Sequence, residues 1–255
     1  MACEKSCCAE LNEKNLVASL AVHGNDGEWL LIDATPDMAE QIRDAGSMPA
    51  AIVLTHAHIG HYTGLTHLGR EVMAADKLPV WCSASMASFL RDNGPWSQLV
   101  ELQNIELHEF NSGIVFSPIA NVKITPLKVP HRDEYSDTHG FSISIKGRRT
   151  LYIPDIDSWS AWGDLLASAR AHETVIIDAT FYDDYELGNR DMSMIPHPRV
   201  KESLELLAPI IHDKELRVIF SHLNHTNPLW NKDSPAYKNV IGQYAEVAER
   251  GLIVK

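Results

Sequence analysis

The chain has 255 residues, 45% of them hydrophobic and 22% charged, an ordinary balance for a globular protein. Lys and Arg number 22 against 34 Asp and Glu, and the net charge of −12 excludes a general basic surface for nucleic acid or for an anionic membrane. No apolar run reaches the roughly 18 residues of a membrane span, and the opening M-A-C-E-K-S-C-C lacks the apolar core of a signal peptide, so a cytoplasmic protein is expected.

Four cysteines are too few for a disulfide framework in a chain this long. Cys3, Cys7 and Cys8 read as a reduced segment over residues 1–15 rather than as a metal site, because C-x3-C-C lacks the second half of a zinc-finger pattern. Cys82 lies in an apolar strand-like run and reads as buried and inert.

From residue 16 to 255 a single domain is expected. Strands are expected at Leu16–Val22 and Trp29–Ala34, then a helix over Pro36–Ala45 with Gly46 past its end. Ala50–Thr55 has the apolar pattern of a buried strand. A helix over Gly64–Ala75, a strand at Pro79–Ser83 and a helix at Ser85–Asp92 follow. The middle is strand-rich: Ile105–Phe110, Val115–Ile119, Val122–Val129, Gly140–Lys146 and Thr150–Ile153. Helices are expected at Ser158–Ala171, Pro198–His212 and Pro235–Arg250, with strands at Thr174–Asp178 and Arg217–Ser221. Interleaved strands and helices imply an α/β or α+β fold, a mixed sheet covered by helices.

Thirteen histidines are many, and three of them fall in Thr55-His56-Ala57-His58-Ile59-Gly60-His61, directly after the buried strand. His56 and His58 share one side of an extended segment, and imidazole is a common ligand for transition metals. Later strands end in the same kind of residue: Asp33 after L-L-I, His131 after K-V-P, Asp155 after L-Y-I-P and His222 after V-I-F-S.

These motifs, in this order, resemble the metallo-β-lactamase superfamily from about Leu16 onward. I-D-A-T-P-D, N-G-P-W-S, D-A-T-F-Y and S-H-L-N-H-T-N-P resemble most its pyrroloquinoline quinone biosynthesis protein B group. The resemblance implies an αββα sandwich, two mixed sheets flanked by helices. It implies a first metal site of His56, His58 and His131. His61 and His222 serve a second, Asp155 bridges the two, and Asp33 orients the loop. Zinc is the expected ion, with Fe²⁺ or Mn²⁺ as alternatives.

Gly60 stands where the family has a metal-binding aspartate. One tight ion and one weak or absent ion are therefore expected, with His225, Asp178 and His197 as candidates to complete the second site. Asp155, His61 and His222 are the candidate catalytic residues. Arg132, Tyr135, Asp178, His197 and His225 are candidates for substrate contact, because loops at such a mouth often carry binding residues. His139 reads as a surface histidine, and Trp159 and Trp162, three apart on a helix, as core or dimer packing. The activity implied is metal-dependent hydrolysis of an ester, lactone, amide or phosphodiester, a small-molecule substrate with no nucleic acid or membrane partner. The rivals are an Fe²⁺-dependent oxygenase or accessory protein of quinone cofactor synthesis, and a degenerate relative that binds without turnover. A homodimer is compatible with any of these.

Overall fold

The structure is a computed structural model and describes residues 15–25, 27–163, 165–188, 191–192, 195–211 and 216–254. Cys3, Cys7, Cys8 and His212 lie outside the described residues. Two compact units are formed, one by residues 17–128 and 132–147, the other mainly by residues 129–131 and 148–255.

The first unit opens with β1 (Leu20–His23) paired antiparallel to β2 (Trp29–Ile32), in the register Leu20 opposite Ile32. Helix α1 (Met38–Ala45) turns its Met38 and Ile42 inward and ends at Gly46, which is left-handed as expected. Next come β3 (Ala51–Val53), α2 (Ile59–Tyr62) and a 3-10 turn over Thr63–Leu68. The single helix expected over Gly64–Ala75 is not formed. The chain coils tightly here because Gly64 lies against backbone: a Cβ on it would come 2.1 Å from the Thr35 carbonyl oxygen. Gly64→Ala should therefore destabilise the protein by about 1–3 kcal/mol. Urea denaturation of the metal-free protein measures it, and an unchanged midpoint would contradict the close approach.

Strand β4 (Leu78–Cys82), α3 (Ala84–Asp92), α4 (Trp96–Glu101) and β5 (Ile105–Glu109) follow, α3 capped by the Ser83 hydroxyl. Strands β2 to β5 are parallel neighbours, giving a mixed sheet in the order β1-β2-β3-β4-β5. Helix α4 escaped the sequence reading because Asn93-Gly94-Pro95 looks like a terminator. Residues Val115–Ile119 do not form the strand expected of them; Phe116 makes an isolated bridge to Ile124. The unit closes with β6 (Val122–Val129) and β7 (Thr138–Ile145). β7 begins two residues earlier than expected. That buries His139, read from sequence as a surface residue, at 2% exposure with its Nε2 2.7 Å from the Ser112 hydroxyl.

In the second unit β8 (Arg148–Ile153), β9 (Thr174–Asp178), β10 (Arg217–Ser221) and β11 (Glu246–Val247) are parallel neighbours in the order β11-β10-β9-β8. All five residues of β9 are buried, as a central parallel strand requires. The helix expected over Ser158–Ala171 is split into α5 (Trp159–Trp162) and α6 (Leu165–Arg170) by Gly163, whose φ of 133° no L side chain adopts easily. Trp159 is buried and donates to the Ser203 hydroxyl on α7 (Val200–Ile211). Helix α8 (Pro235–Gly242) stops eight residues short of the expected Arg250, because the chain there enters β11. Each fully buried Leu, Ile or Val of these strands contributes about 1.5–3 kcal/mol. Among the described residues no helix is long and apolar enough to cross a membrane.

The parallel strands matter for function because their C-terminal ends collect polar residues. In the first unit β2 leads into Asp33 and β3 into the histidine loop. In the second β8 leads into Asp155, β9 ends on Asp178 and β10 leads into His222.

Candidate metal centre

The first unit fixes its histidines from behind. Asp33 is fully buried, with a left-handed φ of 69°. It accepts from the Thr55 amide at 2.9 Å, from the Thr55 hydroxyl at 2.9 Å and from His61 Nδ1 at 2.8 Å. Having given its only proton to Asp33, the Thr55 hydroxyl must accept from His56 Nδ1, 2.9 Å away. His58 donates through Nε2 to Glu134 at 2.9 Å, and that bond holds the Glu134 carboxyl below its usual range. The other nitrogens of His56 and His58, Nε2 and Nδ1, lie 2.9 Å apart.

The second unit is built the same way. His131 donates through Nδ1 to Asp157 at 2.7 Å and turns its Nε2 to Asp155 Oδ1 at 3.3 Å. The Thr180 hydroxyl donates to Asp178 at 2.7 Å and accepts from His222 Nδ1 at 3.0 Å, leaving His222 Nε2 3.8 Å from Asp155 Oδ2. His222, like Asp33, sits at positive φ, 62°. His197 donates through Nδ1 to Asp178 at 2.8 Å, and that nitrogen is 3.3 Å from Asp155 Oδ1. Asp178 also accepts from the Ile156 and Thr180 amides, so its oxygens are occupied in positioning others.

Ring nitrogens thus approach each other or a carboxylate oxygen in both units, at 2.9, 3.3 and 3.8 Å. Zinc–nitrogen bonds of about 2.0–2.1 Å in a tetrahedron put ligand atoms about 3.3 Å apart. Such spacings suit a cation or a shared proton. Burial works against a charged His131, but the hydrogen bond and charge of Asp155, then Asp157, outweigh it and raise its pKa. Burial likewise opposes a charged His197, and Asp178, then Asp155, raise it. The donor set fits a divalent ion of nitrogen and oxygen preference.

Of the residues named from sequence, Asp33, His56, His58 and His61 are brought together in the first unit. His131, Asp155, Asp178, His197 and His222 are brought together in the second. Asp178 holds His197 Nδ1 at 2.8 Å, and with Asp155 and His197 it forms a group whose spacing could hold a cation. His225 is exposed, bonded to Asn224 Oδ1, and joins none of the His/Asp groups found among the described residues. Arg132 is exposed with Glu134 3.6 Å away, and Tyr135 is 64% exposed. Thr55, Glu134, Asp157 and Thr180 were missed. The tetrapeptide I-D-A-T at both 32–35 and 177–180 was a legible signal, since each copy supplies an aspartate that holds a histidine Nδ1 at 2.8 Å.

Asp157→Asn keeps the shape but weakens the hold on His131. Metal affinity should fall about 10–100-fold with folding intact. Competition with a coloured chelator measures it, and an unchanged affinity would show that Asp157 has no part in setting the ring.

A Beta-lactamase superfamily domain model matches residues 28–223. Coenzyme PQQ synthesis protein B of Azoarcus sp. (strain BH72) is 27% identical over 270 residues, covering 93% of this chain and 86% of that protein. The protein of the same name from Methylococcus capsulatus is 27% identical over 292 residues, covering 98% and 93%. Among solved structures, Zn²⁺-bound PqqB from Methylobacterium extorquens has a TM-score of 0.85 at 22% identity, over 99% of this chain and 94% of that one. A diphosphatase of the PhnP family has a TM-score of 0.68 at 19% identity, over 99% and 89%. At these identities the structural likeness is one of fold, two mixed sheets flanked by helices, as the sequence motifs implied.

Proposed function

The chain belongs to the β-lactamase superfamily, and from that premise we propose that it is a metal-dependent hydrolase of an ester, lactone, amide or phosphodiester. The observation that carries this reading is the clustering of imidazoles: His56 lies 2.9 Å from His58, and His131 and His222 lie 3.3 and 3.8 Å from Asp155, with each ring held through its other nitrogen. The family pattern would assign His56, His58, His131 and Asp155 to one ion, and His61, Asp155 and His222 to another. Zinc suits this nitrogen and carboxylate set, and Mn²⁺ or Fe²⁺ would also be accepted.

A divalent ion there supplies Lewis acidity and a water acidic enough to ionise near neutral pH. The side chains do the rest. Asp155 is 4% exposed and faces His131 and His222 through different oxygens. Where no second ion is held, His222, fixed through Nδ1 by Thr180, and His61, fixed through Nδ1 by Asp33, would each carry a proton on Nε2 for a leaving group.

Gly60 separates one ion from two. A Cβ there would meet only Val17 at an ordinary 3.7 Å, so Gly60→Asp introduces a carboxylate without strain. The wild type should bind one ion tightly, and Gly60→Asp should bind a second about 10-fold or more tighter than wild type does. Elemental analysis after dialysis, and metal titration of both proteins, check this. Two equally tight ions in the wild type would overturn it.

A second reading has a specific observation behind it: the matched relatives are named for coenzyme PQQ synthesis and cover 93% or more of the chain. On that reading the protein serves quinone cofactor synthesis, as an accessory protein or with Fe²⁺ and O₂. Metal-loaded protein assayed on esters, lactones and phosphodiesters decides. Turnover that His131→Ala abolishes supports hydrolysis. Selective iron retention with O₂ uptake and no hydrolysis of any of them would overturn it. A metal-free protein from every medium would leave the non-catalytic binding role.

A further inference from the structure

We propose that Tyr135 and Phe89 form a stacking wall beside the metal loop, and that the substrate presents an aromatic ring to it. The inference rests on the metal-centre reading above and adds the substrate's chemical class.

Tyr135 is 64% exposed, yet the side chains of both its neighbours, Glu134 and Ser136, are hydrogen-bonded to the histidine loop. Glu134 accepts from His58 Nε2 at 2.9 Å, and the Ser136 hydroxyl accepts from the Ala57 amide at 2.9 Å. The neighbouring Asp137 is tied to Ser83, and the His139 amide donates to the Thr55 carbonyl at 3.1 Å. An exposed tyrosine on so firmly held a segment has little conformational entropy left to lose on contact. Its ring lies 5.4 Å from Phe89 at 40°. Phe89 in turn meets Tyr62, the residue after His61, at 5.2 Å and 90°, and Trp96 at 5.9 Å. Tyr62 is buried and fixes this aromatic group from beneath. On the loop itself Ile59, next to His58, is 70% exposed and adds apolar surface.

A half-open aromatic group beside ligand-bearing backbone favours a planar aryl group by offset or edge-to-face packing. Arg132 and Glu134 neutralise each other at 3.6 Å, so the lip selects for ring shape more than for charge.

Hydroxamates test this, because their chelating head seats on a metal whatever the reaction. Metal-loaded protein is titrated calorimetrically with acetohydroxamate, benzohydroxamate and cyclohexanecarbohydroxamate, and metal-free protein serves as reference. The phenyl compound should bind about five-fold tighter than the cyclohexyl one. Tyr135→Ala should abolish that preference while acetohydroxamate affinity stays the same, and Tyr135→Phe should keep it. Equal binding of the two rings, or a preference that survives Tyr135→Ala, would overturn the wall. Acetohydroxamate binding no better with metal than without would overturn the metal reading itself, and the wall with it.

Discussion

Replacing Asp155 with asparagine is expected to strip the protein of its ion. Asp155 is 4% exposed and offers its two oxygens to three imidazoles, at 3.3 Å to His131, 3.3 Å to His197 and 3.8 Å to His222. Asparagine keeps the shape but removes the charge, and its amide nitrogen turns a donor toward whatever sits there. Metal affinity should fall by well over the roughly 10–100-fold typical of an outer partner, and hydrolysis should fall with it. The fold should survive, because the same carboxylate also draws protons onto neighbouring rings in the metal-free protein, and an asparagine relieves that need. Isothermal titration with zinc, beside a denaturation curve of the metal-free protein, reads both effects. A variant that keeps its zinc would sink the assignment of Asp155 as the shared ligand.

Asp33→Ala should combine a stability loss with a metal loss. Three donors lose their acceptor at once: the Thr55 amide, the Thr55 hydroxyl and His61 Nδ1. A buried unsatisfied donor costs about 1–3 kcal/mol, and alanine at a φ of 69° costs a further 1–2 kcal/mol. A total loss of at least about 4 kcal/mol is expected. The freed Thr55 hydroxyl no longer fixes the His56 ring through Nδ1, so metal affinity should drop about 10–100-fold as well. Asp33→Asn tolerates the left-handed backbone and should recover part of the stability but less of the affinity. Urea denaturation and metal titration of both variants measure this, and equal loss in both would mean that the lost carboxylate, not backbone strain, dominates.

Much of the candidate site was legible because it is written at strand ends. A buried run followed by a polar residue marks a place where the chain leaves the core, and Asp33, His56, Asp155 and His222 all sit there. The run Thr174–Asp178 shows the same thing, and its expected bounds match the strand. Residue spacing could not show which polar residues hold which. Asp157 and Thr180 are two residues from Asp155 and Asp178 in sequence, but they act on His131 and His222, which are 26 and 42 residues away along the chain.

Secondary structure failed where packing outweighed local pattern. Val115–Ile119 is apolar enough for a strand but bridges at a single position, Phe116 to Ile124. Pro235–Arg250 reads as one helix until a strand partner claims Glu246 and Val247. His139 illustrates the same limit for a side chain, since its burial follows from where β7 begins.

The sequence by itself determined the kinds of donor and their order along the chain, because ligand chemistry resides in side-chain type and a strand end in local hydrophobicity. Only the tertiary structure decided which nitrogen of each histidine is held and by which group, because those partners, Asp33, Glu134, Asp157, Asp178 and Thr180, reach their rings through folding rather than through spacing.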